Sequence, residues 1–377
     1  MKKRLVFSVF ALLTALLVSC NSGAPKSSEF PELPTLPADP KPFNDIPATT
    51  LVANIKLGWN LGNTLDADPD ETSWGNPKTK KSNIDAIKAA GFNAIRIPVS
   101  WSHHVDKNYV VNDTFMKRVK EIVGYAIDND MYILLNTHHD EGIFKFQDKD
   151  MAKSKIAFER IWQQIAENFK NENEKLIFEG LNEPRTIGSS AEWNGGTKEE
   201  RDNINVMEQI FVDVVRASGS NNTKRILMVS TYAASAEQAA MSGVKIPDDP
   251  LNPTNKKFIV SIHAYSPWDF AGPDNKTATT WSQATGASDV SAPLDRAYNT
   301  FVNKGIPVII GEFGAANKNN STVRAEWAKY YVSYAKSKGI PCFWWDDGGN
   351  FKLLNRGDNT FYFNEIKNGL ITASNSE

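Results

Sequence analysis

The sequence predicts an α/β fold, a TIM (β/α)8 barrel forming a single domain. Short apolar runs alternate with helix-period stretches from about residue 48 to the C-terminus, the pattern of parallel strands joined by helices. Eight such units fit one barrel with some long loops. Polar and charged residues stand at or just beyond the C-terminal tips of successive runs, where a barrel exposes its chemistry. A doubly wound open sheet is the competing architecture, but no Gly-rich dinucleotide turn follows the first strand.

The strands are read at Lys56–Leu61, Ala94–Val99, Tyr132–Thr137, Leu176–Leu181, Ile226–Ser230, Phe258–His263, Val308–Phe313 and Cys342–Trp345. Helical spacing recurs between them: Phe115, Val119, Ile122, Val123 and Ala126 within Asp113–Asp128, then Phe158, Ile161, Trp162, Ile165 and Phe169, then Met207, Ile210, Phe211, Val214 and Val215. Ser321-Thr322 opens a helix running through Lys338, and Gly339 is placed to end it. Ala233–Ser242 is expected to form the helix after the fifth strand. Trp162 and Trp327 fall on apolar helix faces and are expected in the core.

Residues 1–19 have the form of a signal peptide: the basic head Lys2-Lys3-Arg4, then an apolar stretch from Leu5 to Val18 that is short for a spanning helix. Leu17-Val18-Ser19-Cys20 resembles the bacterial lipobox. That resemblance implies cleavage before Cys20, lipidation of Cys20, and an exported, membrane-anchored protein on the cell surface or the periplasmic face. Only Cys342 then remains, so no internal disulfide between free cysteines is expected. Residues 20–47 hold the lipidated cysteine and a Pro/Ser-rich stretch, expected as an extended spacer. Residues 48–377 are expected to form the barrel domain, soluble apart from its anchor.

A formal net charge of −2 gives no reason to expect nucleic acid or an anionic surface as partner. The ten Trp, ten Tyr and twenty Phe are more informative, because sugar rings present flat C–H faces that stack on aromatics. Most are expected in the core. The central stretch is Phe178-Glu179-Gly180-Leu181-Asn182-Glu183-Pro184-Arg185, where an apolar strand ends in Asn182 and Glu183. Ile306-Pro307-Val308-Ile309-Ile310-Gly311-Glu312-Phe313-Gly314 repeats the arrangement with Glu312. Two carboxylates at two strand tips of one barrel suit glycoside hydrolysis, one protonating a leaving oxygen while the other attacks or activates water. Asn60, Asn63, Arg96, His138, His139, His263, Tyr265 and Trp345 stand at other tips and are expected to converge on the same centre.

These blocks resemble glycoside hydrolase family 5. Besides the Glu183 stretch, the resemblance rests on Gly58-Trp59-Asn60-Leu61-Gly62-Asn63-Thr64-Leu65, Phe92-Asn93-Ala94-Ile95-Arg96-Ile97-Pro98-Val99, Asn136-Thr137-His138-His139, His263-Ala264-Tyr265-Ser266-Pro267-Trp268 and Gly311-Glu312-Phe313-Gly314, in that order from about residue 50 to 371. Ser266-Pro267-Trp268-Asp269-Phe270 and Trp344-Trp345-Asp346 look like its subfamily 4 of endo-glucanases. The resemblance implies a retaining mechanism on β-1,4-glucan, in a monomer without cofactor or metal. It also implies Glu183 as acid/base and Glu312 as nucleophile. Asn63, Arg96, His138, His139, Asn182, His263, Tyr265, Trp268 and Trp345 are implied in substrate binding, with Asn182 on the 2-hydroxyl, His263 holding Glu183, and Trp345 as a stacking floor. Arg96 and the Tyr265 hydroxyl would keep Glu312 charged, while desolvation and the Glu312 charge are expected to raise the pKa of Glu183. Trp59, Trp74, Trp268 and Trp281 are candidates for outer subsites.

Three other readings compete. His138-His139-Asp140 with Glu141 suggests a metallohydrolase, but neighbouring strand residues point to opposite faces and chelate poorly. Asp66-Ala67-Asp68-Pro69-Asp70 opens like a calcium loop, yet Glu71 stands where Gly is required. A sugar-binding protein without catalysis would account for the aromatics but leaves the paired carboxylates unexplained. Xyloglucanase, mixed-linkage glucanase, xylanase and mannanase activities remain open on the same scaffold. The loop of Trp193, Asn194, Gly195 and Gly196 is read either as substrate-facing or as a plain surface connection.

Overall fold

A computed structural model describes residues 30–254, 256–273 and 277–376. Cys20 and the signal peptide lie outside the described residues. Eight parallel strands close in sequence order into a barrel: β1 (Gly58–Leu61), β2 (Ala94–Ile97), β3 (Tyr132–Asn136), β4 (Leu176–Glu179), β5 (Leu227–Ser235), β6 (Phe258–His263), β7 (Val308–Phe313) and β8 (Cys342–Asp346). The helices are α1 (Ala48–Asn54), α2 (Lys81–Ala89), α3 (Asp113–Asp128), α4 (Asp148–Phe169), α5 (Lys198–Ala217), α6 (Gln238–Ser242), α7 (Trp268–Ala271), α8 (Gln283–Thr300), α9 (Ser321–Ser337) and α10 (Asn364–Asn375).

The strand period of two sorts the barrel interior into levels. At the lower level Ala94, Leu134, Ile177, Ile259 and Phe343 pack with Leu51 and Val52 of α1, which plugs the N-terminal end. Gly58 is required there: a Cβ on it would lie 2.0 Å from the Phe343 ring, which fills the space. Two residues further along four of those strands come Arg96, Asn136, Glu179 and Ser261, each with no exposed surface. The barrel therefore carries a polar floor above an apolar plug. Outside, the strands bury Ile95, Ile97, Ile133, Leu135 and Phe178 against the helices' apolar stripes, including Trp162 and Trp327, which are fully buried.

Ala233–Ser242 departs from expectation. β5 runs on to Ser235, and only α6 is helical there. Ala233 and Ala234 adopt left-handed backbone, φ 53° and 47°, which is incompatible with a right-handed helix but turns the strand so that Ser235 pairs with His263. β4 ends at Glu179, so Asn182 and Glu183 stand in the loop just beyond it.

From Pro31 to Pro47 the chain has no regular structure, and it lies along the barrel rather than free as a spacer. Arg160 donates to Pro31 O (3.1 Å), Lys170 to Leu36 O (2.6 Å), Asn171 to Pro37 O (3.0 Å), and the buried Lys257 to Asp45 (2.5 Å). The strap roofs a cavity of about 760 Å³ against α4 and α5, away from the strand tips. Among the described residues no helix is long and apolar enough to cross a membrane.

Candidate active site

Arg96 organises the centre. Its Nε donates to Glu179 Oε2 (2.7 Å), its Nη1 to Glu312 Oε1 (2.7 Å) and Asn60 Oδ1 (3.1 Å), and its Nη2 to Asn182 Oδ1 (2.7 Å). Burial opposes the guanidinium charge, but Glu179 and Glu312 outweigh it and hold the pKa above the ordinary arginine value. Glu179, to which the sequence pattern assigns no role, also accepts from Asn136 Nδ2 (3.0 Å) and Ser261 Oγ (2.7 Å). The signal for it was present: a strand residue two beyond Ile177 faces the interior, and a carboxylate there needs a cation.

Glu312 sits at the tip of β7 with its two oxygens differently held. Oε1 faces Arg96, and Oε2 accepts from the Tyr265 hydroxyl at 2.8 Å. Burial and the Glu312 charge keep the Tyr265 phenol well above its usual pKa, so it remains a donor. Glu183, with its side chain 20% exposed, places Oε1 2.8 Å from His263 Nδ1, and that same nitrogen is 3.6 Å from Glu312 Oε1. One oxygen of each glutamate and a His263 nitrogen all lie within 4.8 Å of one another. The Glu183 pKa is displaced downward, opposite to expectation. Desolvation does raise it, but the hydrogen bond and charge of His263, with the charges of Arg185 and His139, prevail.

The surrounding residues form the walls. Asn182 turns its carbonyl to Arg96, and its amide nitrogen has no hydrogen-bond partner among the described residues. The ring of His138 lies parallel to Trp345 at 5.8 Å. Burial, with His139 and Arg96 nearby, pushes His138 well below its usual pKa, so it is neutral near pH 7. His139 behaves oppositely. Desolvation is outweighed by Glu141, Asp66 and Glu183, and its pKa is raised. Gly62 lets Trp345 approach the backbone, since a Cβ would lie 2.8 Å from the indole.

At the rim, Trp268 (51% exposed) meets Tyr265 edge-on at 6.2 Å, and Trp74 (44% exposed) lies 5.9 Å from His139. Trp193 is 60% exposed, with the Arg185 guanidinium 5.0 Å over its ring. Arg185 Nη1 reaches Glu183 Oε2 at 3.4 Å, so the Trp193 loop borders the site. Two tryptophans expected in outer subsites are elsewhere. Trp59 is fully buried with its indole N–H on Asp346 (2.9 Å), and Trp281 packs on Tyr330 outside the barrel. Asn60 is a fully buried brace, donating to Gly311 O at 2.9 Å. Asn63 is a left-handed turn residue (φ 51°) beside the cleft, its amide N–H held by Asp66 (2.9 Å). Asp66, His138 and His139 also offer atoms within 4.8 Å, but both Asp66 oxygens already accept backbone N–H groups.

Similarity to known proteins agrees with this geometry. Residues 61–350 match the cellulase model, glycosyl hydrolase family 5. The chain is 44% identical over 345 residues to Endoglucanase A of Clostridium longisporum, covering 86% of this chain and 65% of that protein. It is 42% identical over 346 residues to Cellulase/esterase CelE of Acetivibrio thermocellus, covering 89% of this chain and 41% of that protein. The chain thus spans less than two thirds of either relative's length. A GH5-4 broad specificity endoglucanase from Ruminococcus champanellensis with bound cellotriose superposes with a TM-score of 0.85 at 42% identity, over 88% of this chain and 100% of that one. With the family match running from the end of β1 to beyond β8, and two carboxylates poised at the barrel mouth, the chain belongs to the cellulase family, glycosyl hydrolase family 5.

Proposed function

We propose that the chain is a retaining endo-β-1,4-glucanase cutting internal bonds of plant cell-wall glucans by double displacement. The observation that carries the reading is the close approach of Glu183 and Glu312, both in reach of one His263 nitrogen. Retaining glycosidases hold their carboxyls about 5–5.5 Å apart, whereas inverting ones leave about 6.5–9.5 Å for a water. In the first step Glu312 attacks the anomeric carbon while Glu183 gives its proton to the departing glycosidic oxygen. In the second, Glu183 takes a proton from water as that water displaces Glu312, restoring both groups. The Arg96 guanidinium and Tyr265 hydroxyl orient Glu312 for attack and stabilise the carboxylate when it departs. The free amide of Asn182 suits the 2-hydroxyl, and Trp345 suits the face of the same sugar.

Relatives described as endoglucanases, and similar structures described as GH5-4 broad specificity endoglucanases, support a β-1,4-glucan substrate and a place in subfamily 4. A product profile on cellulosic, mixed-linkage, xyloglucan, xylan and mannan substrates tests it. Endo-cleavage of the glucans is expected, with viscosity falling ahead of reducing-end release. Activity confined to xylan or mannan would overturn the substrate reading.

Leu17-Val18-Ser19-Cys20 supports a second proposal, that the enzyme acts as a monomer on a lipid anchor at the outer or periplasmic face. Mature protein is expected in the detergent phase with a modified N-terminal Cys20, and Cys20→Ala in the aqueous phase. An unmodified, uncleaved N-terminus in the native host would remove the claim.

A further inference from the structure

Trp281, which the active site does not use, begins a row of aromatic rings on the outer flank of the barrel. Its ring lies 5.5 Å from Tyr330, tilted by 42°, and Tyr330 lies 6.0 Å from Tyr334, with planes 27° apart. All three are partly buried, and they line a groove of about 560 Å³ between the start of α8 and the outer face of α9. Its other walls are Gln283, Ser333 and Ser337, with Glu326 and Lys329.

Spacings on the scale of one pyranose ring, along three successive rings, suit an extended sugar chain. The polar lining suits it as well: an amide and two hydroxyls can exchange hydrogen bonds with sugar hydroxyls. The two charged groups are of opposite sign, so the groove presents no net field to attract an anion such as nucleic acid. The Tyr334 hydroxyl is engaged by Asp295 (2.9 Å), which anchors that ring, and the Trp281 indole N–H is held by Gly286 O (3.2 Å). The Tyr330 hydroxyl, in the middle of the row, has no hydrogen-bond partner among the described residues. Trp281 lies on the β6–α8 connection, which also brings Tyr265 and Trp268 to the cleft.

We propose that this groove is a second, non-catalytic binding site for a β-1,4-glucan chain, which holds polymer against the enzyme while the cleft cuts it. The inference rests on the glucanase reading, and its test separates the two. The measurements are binding to insoluble cellulose and initial rates on a long soluble β-glucan and on cellotetraose, for wild type, Tyr330→Ala and Tyr330→Phe. Hydrolysis of cellotetraose by wild type establishes the glucanase reading independently. Tyr330→Ala is then expected to bind cellulose about three- to tenfold more weakly and to lose rate on the polymer, with cellotetraose turnover unchanged. Tyr330→Phe keeps the stacking face and is expected to retain most polymer binding. Ser333→Arg, which fills the groove from a half-buried position on α9, is expected to repeat the loss of Tyr330→Ala and guards against a folding defect in that variant. Unchanged cellulose binding in both Tyr330→Ala and Ser333→Arg, or equal losses on polymer and cellotetraose, would overturn the proposal.

Discussion

Arg96 lies 2.7 Å from Glu312 on one edge of its guanidinium and 2.7 Å from Glu179 on another, with Arg96 and Glu179 completely buried. One cation thus serves a reacting carboxylate and a carboxylate with no access to solvent. Removing one partner of a buried pair leaves an uncompensated charge, which destabilises by about 3–5 kcal/mol. Arg96→Met is expected to lose that much in denaturant unfolding, together with nearly all activity. Adding Glu179→Gln removes the stranded carboxylate and is expected to recover part of the stability but none of the activity, since Glu312 still lacks its cation. Recovery of turnover in the double variant would mean that Arg96 acts on the reaction only through Glu179.

Legibility in the sequence followed the physics of each position. The eight strands were readable because buried parallel strands are continuous apolar runs, and Glu183, Glu312, Arg96 and His263 because charges at strand tips have no packing explanation. Glu179 was obscured by standing four residues before the more conspicuous Glu183; only the inward alternation of β4 distinguishes it. The fate of Trp59 and Trp281 turned on which face of the backbone each occupies, and sequence position alone does not reveal that for a tryptophan beside a cleft. The Pro-rich strap looked like a spacer because several of its contacts are backbone carbonyls, to which Arg160, Lys170 and Asn171 donate, and these leave no trace in side-chain pattern.

That strap gives a stability prediction. Starting the chain at Ala48 removes one acceptor each from Arg160, Lys170 and Asn171 and takes Asp45 from the buried Lys257. At about 0.5–1.5 kcal/mol for each hydrogen bond, the loss is expected to be a few kcal/mol, seen as a lower midpoint of thermal unfolding. The kinetic constants on cellotetraose are expected to stay unchanged, because no strap contact reaches the strand tips. Equal stability of chains starting at Phe30 and Ala48 would show that the strap only rests on the surface.

His263 sets the pH range of the acid/base. Its contact with Glu183 Oε1 at 2.8 Å is the main influence lowering the Glu183 pKa against desolvation. In His263→Phe the ring volume stays but the lowering is lost, so the Glu183 pKa rises. A general acid with a higher pKa keeps its proton to higher pH, and the basic limb of kcat/KM is expected to move upward. A basic limb that stays in place or moves down would show that His263 does not control the proton.

The different neighbours of the two glutamates predict different losses. Glu183 is partly exposed and paired with His263 and Arg185, as a group that exchanges protons must be, whereas Glu312 is fixed by Arg96 and Tyr265. Glu183→Ala is expected to lose about 10²–10⁴-fold on natural glucans, whose leaving group needs a proton. With an activated aryl cellobioside the first step needs no proton. That variant should then release a rapid burst of phenol followed by slow turnover, as glycosyl-enzyme awaits a base. Glu312→Ala is expected to lose both activities, because no covalent intermediate can form. Azide added to Glu312→Ala can occupy the vacated volume and attack the activated substrate directly, giving a glycosyl azide of inverted anomeric configuration. The same anion added to Glu183→Ala would intercept the intermediate on Glu312 and give the retained configuration. Azide products of the same anomeric form from both variants would refute the assignment of the two roles.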